Sequence, residues 1–170
     1  AVAKSINFGL IYGMGSSKLA NQVNITRAEA KEYIERYFKA FATIKEFLES
    51  IKISAKNDGF VQTLLGRRRY FDFKSATPMQ IAMFEREAVN TVFQGSAADL
   101  VKMAMVKVRA NLDENAKMLL QIHDELIFEV KDEFAQEFGE TTQKTMEEIY
   151  TLNVPLKTSL NIAKNWGELK

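Results

Sequence analysis

A chain of 170 residues, 46% hydrophobic and 26% charged with a formal net charge of +1, can bury the core of one ordinary domain or two small lobes. That balance excludes a disordered polyelectrolyte, and the bulk charge announces no polyanion partner. The absence of cysteine excludes disulfides and thiolate metal sites, is compatible with a reducing compartment, and no apolar run approaches the roughly 20 residues of a membrane span.

In chain order, Ala1 to about Met14 has helical spacing with Gly9 and Gly13 inside it, which predicts a helix crowded against a neighbour. It lacks the charged start and long apolar stretch of a secretory signal, and it reads as the interior of a helix. Thr26 followed by Glu29 is a capping-box signature that opens a helix through Phe38. A further helix is expected from about Ala42 to Asn57, with Ile44, Phe47, Leu48 and Ile51 on one face and Gly59 as its stop. From Phe60 the period changes: residues 60–64 read as a strand, Gly66 as a turn and residues 70–73 as the returning strand. Pro78 suits a first helical turn, and a long helix is expected from there to about Asn111, interrupted or closely packed at Gly95.

Residues 118–122 and 125–130 are apolar strands around the two-residue turn His123–Asp124. A helix over about 133–150 and a final strand near 156–162 complete the chain. Helices followed by antiparallel hairpins define an α+β fold, with an internal boundary near Asp58–Gly59. Leu10, Ile11, Met103 and Val106 are assigned to the core.

Several groups of residues could carry chemistry, and each has a plain structural alternative. Asp124 and Glu125 at a hairpin tip are ordinary turn residues, or two carboxylates placed on rigid strands to hold a hard cation such as Mg²⁺. His123, the sole histidine, is a turn residue, and without a second His or a Cys it cannot build a zinc site. Lys4, Phe8 and Tyr12 share one helical face, which is either core or a cation with aromatic faces suited to a nucleotide. Asn90 and Gln94, one turn apart, are an exposed polar face or donors to minor-groove acceptors. Arg67, Arg68 and Arg69 form a solvated turn or a phosphate contact.

These groups occur in order within recognisable segments. Residues 4–13 (KSINFGLIYG) resemble motif B of the bacterial family A DNA polymerases, the fingers helix, and residues 63–69 (TLLGRRR) resemble that family's TLxGRRR segment. Residues 93–99 (FQGSAAD) are similar to its QGxAAD helix, and residues 121–125 (QIHDE) to motif C, the palm hairpin. The resemblance runs from residue 1 to about Trp166 and implies a fingers portion over 1–58 and a palm portion over 59–170.

It implies template-directed nucleotidyl transfer by a two-metal mechanism with Mg²⁺. Primer–template DNA and dNTPs would be the partners of a cytoplasmic, monomeric parent. Lys4 would contact the incoming triphosphate, Phe8 the sugar, and Tyr12 the templating position. Arg67, Asn90 and Gln94 would track the primer–template, with His123 near the primer end. Asp124 would be the catalytic metal ligand and Glu125 an auxiliary acid beside it. No segment here matches motif A, which carries the family's other catalytic aspartate, nor its thumb or exonuclease regions. The chain is therefore expected to be an incomplete fragment, weak or inactive alone. The alternative is a non-catalytic primer–template binding module that keeps Arg67, Asn90 and Gln94 without needing Asp124. A family A-like RNA polymerase is opposed by Phe8.

Overall fold

The computed structural model describes residues 2–169, and side chains from residue 6 onward. The chain forms two compact units, Ala1–Gly95 and Ser96–Lys170.

The first unit begins with α1 (Val2–Ile11) and α2 (Ser16–Val23). α1 stops three residues short of Met14 because Gly13, at φ 81°, turns the chain, while Gly13 N–H donates to the Leu10 carbonyl at 3.1 Å. α2 was not anticipated. It is short and polar, and only Leu19 and Ala20 are buried. Asn24 closes it in the left-handed region that asparagine tolerates.

α3 (Arg27–Ala40) opens on the expected capping box. Thr26 N–H donates to the Glu29 carboxylate at 2.8 Å, and Glu29 N–H donates back to Thr26 Oγ1 at 3.2 Å. α4 (Ala42–Asp58) ends at Gly59, whose φ of 73° and N–H to the Ala55 carbonyl close the helix as its sequence predicts.

β1 (Phe60–Gln62) pairs with β2 (Arg68–Tyr70) in antiparallel register, Phe60 opposite Tyr70 and Gln62 opposite Arg68. The returning strand thus starts earlier than 70, because residues 63–67 close a compact turn. Thr63 N–H donates to the Arg67 carbonyl and Gly66 N–H to the Thr63 carbonyl, both at 2.9 Å. α5 (Pro78–Asn90) carries a second capping box, Thr77 with Gln80, and Pro78 in its first turn. The helix expected to run on toward Asn111 is divided here, because residues Thr91–Gly95 form a π-helical turn.

Leu48, Ile51 and Ala55 of α4, Val61 of β1, Phe71, and Ala88 and Val89 of α5 make one apolar cluster. Leu10, Leu19, Ala20 and Ala30 make a second. Full burial of a leucine such as Leu10 or Leu19 contributes about 2 kcal/mol relative to exposure.

The second unit comprises α6 (Ser96–Arg109), β3 (Ala116–Ile122), β4 (Glu125–Val130) and α7 (Ala135–Glu147). β3 and β4 form a hairpin in which Ile122 faces Glu125, and a bulge between Met118 and Leu120 inserts one extra residue into β3. With helices around small antiparallel hairpins, the fold is α+β as expected.

Two expectations fail in this unit. Val106 is not core but 74% exposed: Ala104 and Val108, one turn apart, are the buried side of α6, and Val106 lies half a turn from both. Residues 156–162 form no strand, and at Thr158 both backbone groups are taken by α7 side chains. Gln143 Nε2 donates to the Thr158 carbonyl at 2.7 Å, and Thr158 N–H donates to Glu147 Oε1 at 2.9 Å. Gly139 lets the Leu160 side chain approach α7 so closely that a Cβ there would sit 2.7 Å from its Cδ1.

Candidate functional site

The aromatic face of α1 is partly core and partly open. The rings of Phe8 and Tyr12 are stacked at 6.4 Å with 12° between planes. Tyr12 meets Phe93 edge-on, and Phe93 meets Phe47 in the same way at 5.9 Å. Tyr12 is thereby anchored against the apolar cluster, whereas Phe8 is 46% exposed. Beside Tyr12 a cleft of about 270 Å³ is lined in part by Gly13, Lys45, Lys52 and Arg86. The Lys4 side chain lies outside the described ones.

The three consecutive arginines have different surroundings. Arg67 closes the hairpin turn: its N–H donates to Thr63 Oγ1 at 3.1 Å, and its Nη2 donates to the Gly95 carbonyl at 3.1 Å. Arg68 lies over the Phe60 ring, 4.5 Å from its centroid. Arg69 pairs with Glu87 at 2.7 Å and donates to Thr91 Oγ1 at 3.4 Å. Thr91 Oγ1 in turn donates to the Glu87 carbonyl at 2.7 Å. The hairpin is thus fastened to the π-helical turn through Arg67 and Arg69. That turn carries exposed Gln94, and half-buried Asn90 ends α5 just before it.

In the second unit, His123, Asp124 and Glu125 stand exposed at the β3–β4 tip. His123 adopts φ 55°, an uncommon conformation for a residue with a side chain, which the two-residue hairpin imposes. Gln121 was not singled out from sequence, yet its Nε2 donates to the His123 carbonyl at 2.5 Å and so fixes the peptide leading into Asp124. Its place two residues before the turn, pointing back at it, was the available signal. Thr63, Glu87 and Thr91 were missed likewise, because their roles arise from contacts with segments distant in sequence; Gly95, expected to interrupt the helix or pack closely, does both.

Asp124 and Glu125 have the oxygen donors that suit a hard divalent cation. Among the described residues, however, no group of three or more His, Cys, Asp or Glu side chains converges to hold a metal ion. Among them, too, no helix is long and apolar enough to cross a membrane.

The chain is 49% identical over 173 residues to DNA polymerase I of Helicobacter pylori, covering 100% of this chain and 19% of that protein. It is 43% identical to DNA polymerase I of Bacillus caldotenax and 41% identical to the thermostable DNA polymerase I of Thermus aquaticus, covering 99% of this chain and 20% of each relative. The chain therefore spans about a fifth of the length of these curated relatives. Among solved structures it is similar to the POL domain of Pol1 from M. smegmatis in complex with DNA primer-template and dNTP. That match has a TM-score of 0.92 and 35% identity, and covers 99% of this chain and 30% of that one. The family model for DNA polymerase family A matches residues 1–168. The chain belongs to DNA polymerase family A.

Proposed function

We propose that this chain contributes part of the nucleotidyl-transfer site and of the primer–template track of a template-directed DNA polymerase acting in replication or repair. The observation that carries this reading is the exposed His123–Asp124–Glu125 tip, held on a two-residue hairpin and braced by Gln121, in a chain of this family. Residues 1–58 are assigned to the fingers and 59–170 to the palm. A cytoplasmic, monomeric parent belongs to the same proposal.

In the reaction, the primer 3′-hydroxyl attacks the α-phosphorus of a dNTP, a new P–O bond forms, and pyrophosphate leaves. Lys4 sits against the triphosphate, where a fixed cation offsets the charge that builds on the leaving group. Phe8, exposed on the same helical face, packs on the sugar. Tyr12 stacks beside the templating position; its edge-on contact with Phe93 limits how far the ring can swing. Arg67, Asn90 and Gln94 follow the duplex in the first unit, and His123 meets the primer end. These contacts align the two reactants, which together with charge stabilisation supplies most of the rate enhancement in phosphoryl transfer.

Family membership carries the usual requirement for a divalent metal, and Mg²⁺ is the assignment that carboxylate donors favour. Asp124 would be a ligand and Glu125 an auxiliary acid. When bound, such ions lower the pKa of the primer hydroxyl and hold the triphosphate oxygens. Two adjacent carboxylates, with no third acid converging on them among the described residues, fit one shoulder of a two-ion site rather than the whole of it. Turnover by this chain alone is accordingly expected to be weak or nil.

Primer extension on a labelled primer–template with Mg²⁺ and all four dNTPs tests the reading. The expected result is retardation of the primer–template with little or no extension. Robust extension that disappears in Asp124→Ala would show that these carboxylates suffice and that the half-site is wrong. Failure to bind primer–template at all would remove the proposed DNA track.

A further inference from the structure

We propose that Gly95 is a positioning residue for Arg67, and that the methyl group of Thr63 is what makes glycine necessary there. The inference rests on the reading of Arg67 as a DNA contact, which it deepens by naming what aims that side chain.

Three observations in the first unit meet at one point. Arg67 Nη2 donates to the Gly95 carbonyl at 3.1 Å, and Arg67 N–H donates to Thr63 Oγ1 at 3.1 Å. Gly95 closes the π-helical turn Thr91–Gly95, a local departure from α-helix that widens the backbone and is uncommon outside sites under special demand. A Cβ placed on Gly95 would lie 2.7 Å from Thr63 Cγ2 and 3.3 Å from Arg67 Nη2.

Real Cβ atoms do not approach another carbon to 2.7 Å, so something must yield. Thr63 is 5% exposed, its side chain is short, and its hydroxyl is committed to the Arg67 N–H. It cannot swing its methyl aside without breaking that bond. Gly95→Ala therefore pushes on the hairpin turn and on the guanidinium together, and it parts the Arg67–Gly95 link. Gly95 has no positive φ, so its requirement is one of space rather than of backbone conformation.

This arrangement makes a sharp suppressor prediction. Thr63→Ser deletes the offending methyl and keeps the hydroxyl that receives the Arg67 N–H. Thr63→Val keeps a methyl in that space and deletes the hydroxyl. Thr63→Ser should rescue Gly95→Ala, and Thr63→Val should not.

Two readouts on the full chain separate this inference from the reading beneath it. The first needs no DNA: the Arg67 side-chain Nε–Hε signal in a ¹H–¹⁵N spectrum, assigned by its loss in Arg67→Ala. It should be distinct in the wild type and in Thr63→Ser, should collapse toward free arginine in Gly95→Ala, and should return in Gly95→Ala/Thr63→Ser but not in Gly95→Ala/Thr63→Val. The second is the salt dependence of primer–template affinity by fluorescence anisotropy. Its log–log slope should fall by about one unit in Arg67→Ala and in Gly95→Ala, and should recover in the serine double variant.

An Arg67 signal unchanged in Gly95→Ala overturns the positioning role. So does equal rescue by serine and valine, or a serine double variant that stays as misfolded by circular dichroism as Gly95→Ala. A slope untouched by Arg67→Ala, with the signal behaving as described, instead removes Arg67 from the DNA contact and leaves the latch standing.

Discussion

Arg67, Arg68 and Arg69 are one feature of the sequence and three physical situations, and their substitution should separate accordingly. Arg69 is bound to Glu87 and Thr91 on a partly exposed surface, where an ion pair contributes no more than about 1 kcal/mol after solvent screening. Arg69→Ala should lower the urea midpoint modestly and leave the salt slope of DNA binding intact. A lost slope with unchanged stability would assign Arg69 to the DNA instead. The hairpin tip that carries Asp124 and Glu125 was legible because the polar pair His123–Asp124 separates two apolar runs. The seat of Arg67 was not, since it depends on Gly95 and Thr63, which no local pattern connects. Likewise, a stripe of Phe8 and Tyr12 announces a face without saying which ring is covered. Phe93 decides that for Tyr12.

Elements announced by their own ends were read well, and elements defined by distant partners were not. The Thr26–Glu29 box, Pro78 and Gly59 act through the first or last turn, so sequence displays them directly. Thr26→Ala should cost about 1 kcal/mol, seen as a lower thermal midpoint; no change would mean that α3 is held by packing alone. α2 has too few apolar residues to show a helical period. The segment 156–162 has strand-like alternation, but the backbone groups of its Thr158 bond to side chains of α7.

The Thr158 N–H holds the Glu147 carboxyl below the usual glutamate value of 4.5, with the Lys157 charge adding to the effect. A lowered folded value means that the tether contributes fully above pH 4.5 and is lost as pH falls through that lowered value. The Thr158 amide shift should titrate below the ordinary glutamate range and cease to do so in Glu147→Gln. Titration at the ordinary value would mean that the tether is open in solution.

For the molecule as a whole, class was clearer than organisation. The order of helical and strand periods is enough for α+β, whereas the packing boundary falls at Gly95, where the sequence marks an interrupted or closely packed helix but no change of unit. The first unit holds both apolar clusters, while the buried apolar residues of the second are the small Ala104, Val108 and Ala116. Small side chains bury little area, so the second unit should give way first in denaturant. Trp166, the sole tryptophan, lies in it. Its fluorescence should change at lower urea than the far-ultraviolet dichroism, and coincident curves would indicate one cooperative transition.

The extra residue in β3 acts as a frameshift in the two-residue rhythm of the strand. Met118 faces Phe128 and Leu120 faces Ile127, so these even-numbered neighbours point to opposite sides of the hairpin. Gln121 therefore shares a side with Ala116 and Met118, the reverse of what parity along the sequence gives. Deleting Leu119 would preserve every observed pairing and remove only the local twist that a bulge adds. The direction in which the carboxylates at the tip are aimed is thus adjustable by the length of a strand, with no change to the carboxylates themselves.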